Sequence, residues 1–235
     1  MEERSAAGLA QLGLTPPPGT AAKLARYGEM LIEQNKVMNL TAITDPDQVA
    51  SLHMLDCAAL LRYVNLKGAS LIDVGTGAGF PGIVLKIMEP SLDLTLLDGL
   101  QKRLNWLAQV CEELGLENVK FLHARAEEES LKPAHRDHYD FASARAVASM
   151  NVLTEMCLPY VKVGGKFLAM KSVESDAELE QAAHAIKFLG GRVRQTEDYP
   201  VPHTDVTHRL VVIEKVAPTL KGYPRRWAKV QKAPL

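Results

Sequence analysis

Apolar positions along this chain follow two different periods. From Thr20 to about Met38, Leu24, Tyr27, Leu31 and Met38 recur at helical spacing. Residues 5–14 predict a short helix before it, stopped by the three prolines between Thr15 and Gly19. Asn39-Leu40-Thr41-Ala42 breaks the helical pattern. Asp45-Pro46-Asp47-Gln48 then reads as an N-cap, a proline at the first helical position and a capping-box partner. The helix it opens carries Val49, Leu52, Leu55, Leu60 and Tyr63. Residues 1–67 are therefore expected to form a helical extension without a strand.

From Gly68 onward, short apolar runs alternate with helical segments. Strands are predicted near 69–74, 93–98, 118–123, 139–144, 164–171, 191–199 and 207–216, and helices near 81–89, 100–114, 148–158 and 175–188. Strict alternation over five strands predicts an α/β fold with a mostly parallel sheet and helices on both faces. Only Val201–Asp205 links the last two strands, so they should pair antiparallel at the sheet edge. The expected organisation is an extension over 1–67, a core over 68–216 and a tail over 217–235.

Composition narrows the setting. The 235 residues are 47% hydrophobic and 23% charged with a formal charge of −1, which is ordinary globular material and no polycation. Any nucleic-acid surface must be a local patch. The tail supplies one: Lys221, Arg225, Arg226, Lys229 and Lys232 without an acid, interleaved with Tyr223 and Trp227, a pattern that suits phosphate contact and base stacking. A solvated tail pinned by its aromatics is the plainer alternative. Cys57, Cys111 and Cys157 are widely spaced in apolar helical contexts and read as reduced thiols without metal spacing. No run approaches a membrane span and the first residues are no signal peptide, so the expected place is the cytoplasm.

The candidate chemistry centres on Ser70-Leu-Ile-Asp-Val-Gly-Thr-Gly-Ala-Gly-Phe-Pro-Gly82, a buried strand running into a glycine-rich turn and a helix start. Such a turn lets a ligand approach free backbone N–H groups. The second strand ends in Asp98, 23 residues after Gly75, about where a dinucleotide-type fold places the acid that holds a ribose. The glycine spacing departs from that of nicotinamide binders. Asp73, two residues before the first glycine, suits a ligand with a cationic amino group and no pyrophosphate. S-adenosylmethionine (SAM) is such a ligand, and NAD is disfavoured.

Further runs appear in order: Asn39-Leu40-Thr41-Ala42-Ile43-Thr44, His53-x-x-Asp56, Arg125-Ala126-Glu127, Ala144-Arg145-Ala146-Val147, Gly164-Gly165 before a strand ending in Lys171, and Tyr223-Pro224-Arg225-Arg226. With the glycine stretch, this resembles the ribosomal RNA small subunit methyltransferase G family, also called glucose-inhibited division protein B. The resemblance covers nearly the whole chain. It implies a Rossmann-like SAM-dependent methyltransferase with an N-terminal helical extension, acting on N7 of a guanine in bacterial 16S rRNA. It implies SAM as donor, S-adenosylhomocysteine as product, 16S rRNA or the 30S subunit as partner, and neither a metal nor a membrane. A monomer is expected.

By position, the resemblance places Gly75, Gly77, Gly79 and Phe80 at the cofactor, Ala126 and Glu127 at its adenine, and Arg145 in the same set. Asp73 and Asp98 join them from the strand-end reading. His53, Asp56, Arg145 and Lys171 are candidates for positioning the target base, and Arg225, Arg226 and Lys229 for holding RNA. Each has a plainer alternative: Glu127-Glu128-Glu129 as a solvated face, Arg145 paired with Asp140, His53 and Asp56 as an ordinary helix pair. No acid/base catalyst is expected, because guanine N7 carries an unprotonated lone pair. The tetrad of exocyclic-amine methyltransferases and the Pro-Cys pair of ring-carbon methyltransferases are both absent. The rival readings are a SAM enzyme with a small-molecule or protein substrate, a nicotinamide oxidoreductase lacking its usual Tyr-x-x-x-Lys relay, and a non-catalytic RNA-binding module.

Overall fold

The strands are apolar on both sides because both faces of the sheet are covered. Leu71, Leu94, Leu96, Leu168, Met170, Leu210 and Val212 enter one hydrophobic cluster; their neighbours Ile72, Val74, Leu97, Phe167, Ala169, Val211 and Ile213 enter another. The computed structural model describes residues 1–145 and 148–235. Ala146 and Val147, which close the Ala-Arg-Ala-Val run, lie outside the described residues.

The strands are β1 (Ser70–Val74), β2 (Asp93–Asp98), β3 (Val119–His123), β4 (Tyr139–Arg145), β5 (Val161–Ser172), β6 (Gly191–Pro200) and β7 (Thr207–Lys215). They form one seven-stranded sheet in the order β3-β2-β1-β4-β5-β7-β6. All pairings among β1 to β5 are parallel, whereas β7 runs antiparallel to both β5 and β6. The expected antiparallel pair is present, with β7 inserted between β5 and β6. The strand order reverses between β1 and β4, which opens a crevice at their carboxyl ends.

The helices are α1 (Glu2–Gln11), α2 (Thr20–Met38), α3 (Pro46–Val49), α4 (Asp56–Ala58), α5 (Gly82–Met88), α6 (Gln101–Glu113), α7 (Ala126–Glu129), α8 (Met150–Cys157), α9 (Asp176–Phe188) and α10 (Trp227–Lys232). Leu24, Tyr27 and Leu31 of α2 pack with Ile83 of α5 and Trp106 of α6 on the first face. Met150 and Leu153 of α8, Ala182 and Ile186 of α9 and Val230 of α10 cover the second. No described helix is long and apolar enough to cross a membrane.

Two local departures from the expected elements have clear causes. The helix opened by Asp45 has its cap, with Gln48 N–H donating to Asp45 Oδ1 at 2.9 Å. It then widens into a π-helical turn over Ala50–Leu55 before narrowing through α4 to a 3-10 turn over Ala59–Arg62. Strand β5 starts three residues earlier than the Gly164-Gly165 signal suggested. Its register with β4 jumps from Tyr139↔Val161 to Phe141↔Lys166, and Gly164, at φ +88°, takes up the bulge. A Cβ on Gly165 would stand 2.5 Å from Asp140 O.

The tail is strapped down by one buried and one half-buried cation. Lys215 Nζ, fully buried, donates to Asp137 Oδ1 at 2.9 Å, Leu158 O at 2.6 Å, Val161 O at 3.1 Å and Thr219 Oγ1 at 2.8 Å. Arg136 donates to the carbonyls of Thr219 and Tyr223 at 2.9 and 2.8 Å. Tyr223 meets Phe188 edge-on at 5.0 Å.

Candidate functional site

The turn after β1 is built on the Asp73 side chain. Fully buried, Asp73 accepts from Thr76 Oγ1 at 2.6 Å, Ser143 Oγ at 2.8 Å and Gly82 N–H at 3.3 Å. Those bonds tie β1 to β4 and to the start of α5. Burial raises its pKa despite the hydroxyl donors. Expected at the ligand, Asp73 spends its carboxylate on holding the turn and does not line the cavity beside it. At Gly79, also expected at the cofactor, a Cβ would come within 2.5 Å of Tyr27 Oη and 2.8 Å of Ile83 and Leu107. It is a packing glycine.

Gly75 and Gly77, at φ +70° and +56°, do line a cavity of about 560 Å³. A Cβ on Gly77 would meet only Gly75 O, at 3.9 Å, so any side chain there would enter the open space. Thr76, Ala78, Phe80, Asp98, Gly99, Arg103 and Arg145 continue the wall. Asp98, 4% exposed, accepts from Gly77 N–H at 2.9 Å and Leu100 N–H at 2.8 Å, with Arg103 at 3.4 Å. The backbone of the glycine turn is thus clamped to the end of β2.

Ala126 and Glu127 do not line this cavity; Arg125, the first residue of the same motif, does. Ala126 turns its carbonyl to Tyr160 Oη at 2.8 Å, and Glu127 takes Arg125 Nε at 3.3 Å. Glu127 and Glu129 are buried, so the acidic run is not a solvated face. Arg125 lies over the ring of Trp227 at 5.4 Å, which gives this tail aromatic an intramolecular partner.

The N-terminal helices close the cavity in ways the apolar pattern did not reveal. Tyr27 Oη donates to Ala78 O, and its ring packs on Phe80 at 5.3 Å and Trp106 at 6.3 Å. The Asn35 side chain accepts from Leu40 N–H at 2.6 Å and Thr41 N–H at 2.9 Å, fixing the Asn39–Thr41 loop at the cavity wall.

His53 and Arg145 form the partition between this cavity and a second one of about 500 Å³. Arg145 donates to His53 Nδ1 at 3.1 Å, Asp56 Oδ2 at 3.3 Å and Leu52 O at 3.3 Å, and it stacks on Phe80 at 4.6 Å. The alternative pairing with Asp140 is overturned: that carboxylate sits near the opposite end of β4, bound to Ser70 at 2.8 Å and Lys162 at 2.5 Å. His53 Nδ1 stands 3.1 Å from both the Arg145 guanidinium and the Leu52 carbonyl, and Nε2 faces Thr41 Oγ1 at 2.8 Å. Burial and the Arg145 charge lower the His53 pKa to about 4. His53 is neutral at physiological pH.

Asp56, 1% exposed, is the hub on the other side. Its Oδ1 accepts from Tyr199 Oη at 2.9 Å and His208 Nδ1 at 2.8 Å. The hydrogen bond to Asp56 raises the His208 pKa. Lys171 and Glu178, paired at 2.6 Å, and the apolar Ile43, Leu52, Met170 and Val206 complete the second cavity. His53 and Asp56 face the same way, as their spacing suggested, and both hold Arg145. His208 and Glu178 carried no sequence signal, since no short motif contains them.

Among the tail cations expected to hold RNA, Arg225 faces inward. Its guanidinium donates to both oxygens of Glu155, at 2.9 and 2.6 Å, and its N–H donates to Glu155 Oε1 at 2.8 Å. Glu155 is fully buried, so Arg225 is an internal counter-ion. Arg226 and Lys229 are exposed. All three cysteines are free and buried, and burial raises the thiol pKa of each. Among the described residues no cluster could hold a metal ion.

A family model described as rRNA small subunit methyltransferase G matches residues 20–205. The protein of that name from Alkaliphilus metalliredigens is 46% identical over 229 residues, 97% of this chain and 96% of that one. The one from Clostridium perfringens is 43% identical over 214 residues, 91% and 90% of the two chains. Among solved structures, a SAM-dependent O-methyltransferase of Thermotoga maritima superposes with a TM-score of 0.53 at 17% identity, over 81% of this chain and 73% of that one. That likeness concerns the fold, which is the Rossmann-like class I methyltransferase fold. With its sequence matched over nearly its whole length, the chain belongs to the rRNA small subunit methyltransferase G (GidB) family.

Proposed function

We propose that this chain methylates N7 of a guanine in 16S rRNA, with SAM in the cavity under the glycine turn and the guanine in the adjoining one. The observation that carries the reading is that the two cavities share His53 and Arg145 at the carboxyl ends of the strands. The first has the features a nucleoside with an amino-acid arm requires: a glycine cradle open to the cavity and a carboxylate at the end of β2 for ribose hydroxyls. Its volume lies in the ordinary range of roughly 300–1,000 Å³ for small-ligand sites. Bound there, SAM supplies a methyl group already activated by its sulfonium.

The residues of this chain then have positioning work to do. Guanine N7 attacks with its own lone pair, so no side chain has to remove a proton first. Rate comes from holding N7 in line with the methyl at roughly 3–3.5 Å. The partition is suited to this, because Arg145 is fixed by three acceptors and by Phe80. Neutral His53 adds no positive charge beside a cationic donor and a base that becomes cationic. The apolar walls of the second cavity suit a base drawn out of its stack, since the deep groove of A-form RNA hides N7. Of the three tail residues expected to hold RNA, Arg226 and Lys229 are exposed to meet phosphates, whereas Arg225 is turned inward. The protein would act as a monomer in the cytoplasm, on free 16S rRNA or the 30S particle.

The test uses labelled SAM with 16S rRNA, or with 30S subunits from cells lacking the protein. Labelled RNA should become cleavable by borohydride and aniline at one guanine, a reaction that reports N7 methylation. Label that enters RNA without creating a cleavage site, or that enters only protein, overturns the proposal.

A further inference from the structure

Glu178, near the start of α9, forms one wall of the second cavity. Its Oε2 is held by Lys171 Nζ at 2.6 Å and by Met150 N–H at 3.1 Å. Its Oε1 has no hydrogen-bond partner among the described residues, and the side chain is 41% exposed. The cavity therefore combines apolar walls, cations already paired with Asp56 or Glu178, and one carboxylate oxygen that is uncommitted among the described residues.

Every purine has an N7, so N7 alone cannot distinguish guanine from adenine. Their Watson–Crick edges differ: guanine presents N1–H and N2–H donors, whereas adenine presents a lone pair at N1. A carboxylate on that edge accepts from guanine and repels adenine. We propose that Glu178 determines base specificity, its free oxygen accepting the N1–H and N2–H of the target guanine. This rests on the reading of the second cavity as the base site.

The same contact favours the reaction. As the N7–C bond forms and the S–C bond breaks, its electron pair leaving on sulfur, the base gains a positive charge. Its N1–H becomes more acidic but keeps its proton, and the hydrogen bond to the carboxylate strengthens. An interaction tighter in the transition state than in the ground state raises kcat as well as affinity.

The experiment pairs the full-length wild type and Glu178→Ala with 16S rRNA carrying guanine or inosine at the methylated position. Inosine keeps N7, O6 and N1–H and lacks only the 2-amino group. Wild type should prefer guanine about tenfold in kcat/KM, and in RNA binding measured without SAM, as expected for one hydrogen bond to a charged group. Glu178→Ala should lose roughly 10- to 100-fold on guanine, and its guanine-to-inosine ratio should fall to about one, with SAM affinity unchanged and Tm lowered by the loss of the Lys171 and Met150 contacts. If Glu178→Ala unfolds, Glu178→Gln keeps the shape and should show a reduced ratio. Equal losses on both RNAs, or a ratio that stays at the wild-type value, would overturn the role of Glu178. Wild type inactive at N7 of either base would instead overturn the reading of the cavity itself.

Discussion

Replacing Arg225 by alanine should cost folding stability before it costs RNA affinity. Glu155 is fully buried in α8, and Arg225 supplies three donors to its two oxygens. One is the backbone N–H, which survives the substitution; the other two, with the countercharge, are lost. Removing one partner of a buried pair leaves an uncompensated charge and typically costs about 3–5 kcal/mol. The surviving N–H bond places Arg225→Ala near the lower end, at about 3 kcal/mol. For a chain of this size that lowers Tm by roughly 6–12 °C. Urea unfolding followed by circular dichroism reads the loss directly. Adding Glu155→Gln should recover more than half of it, because the orphaned charge is then gone. If Arg225→Ala unfolds within 0.5 kcal/mol of wild type while its RNA affinity falls, the internal pairing is unimportant and the arginine belongs to the RNA surface after all.

Three further outcomes follow from the geometry. Gly77→Leu should weaken SAM binding at least 100-fold by calorimetry while the circular dichroism spectrum stays native, because the side chain fills the cavity; retained micromolar affinity would contradict the placement. The double substitution of Arg226 and Lys229 by alanine should reduce the slope of log affinity for rRNA against log salt by roughly 1.4–1.8, at 0.7–0.9 per lost phosphate contact, and leave SAM affinity alone. His53 sets an acid limit: the unfolded chain binds its proton below about 6.5 but the folded chain only below about 4. Its contribution is therefore whole above 6.5 and falls by ~3 kcal/mol as pH drops through that window. His208 has the opposite sign, its raised pKa giving stability below 6.5 that is lost as pH rises through the folded value. A flat stability profile between pH 6.5 and 4 in wild type, matching that of His53→Asn, would refute the neutral assignment.

The sheet was legible because its strands are apolar, short and separated by turn residues; every expected strand is present, most within two residues of its expected bounds. The glycine turn and Asp98 were legible for the same local reason. What sequence could not supply was the direction of side chains set by tertiary packing. Asp73 looked like a ligand because an acid precedes the glycines, yet three neighbours from β4, α5 and the turn consume it. Arg225 looked like a surface cation because nothing nearby in the chain is acidic; its partner lies 70 residues away. Tyr27 read only as an apolar helical position, although its hydroxyl reaches the turn between Gly77 and Gly79. The widening of the helix at Ala50–Leu55, which carries His53, leaves no trace in periodicity over so few residues.

That phenol has a temporal consequence. A ribosome makes α2 well before β1, so the segment bearing Tyr27 must wait unclasped until Ala78 and Phe80 emerge. Ligand competence should then arrive as one late event, and a chain trimmed of its opening helices would be left with a loosened mouth however well its strands assembled.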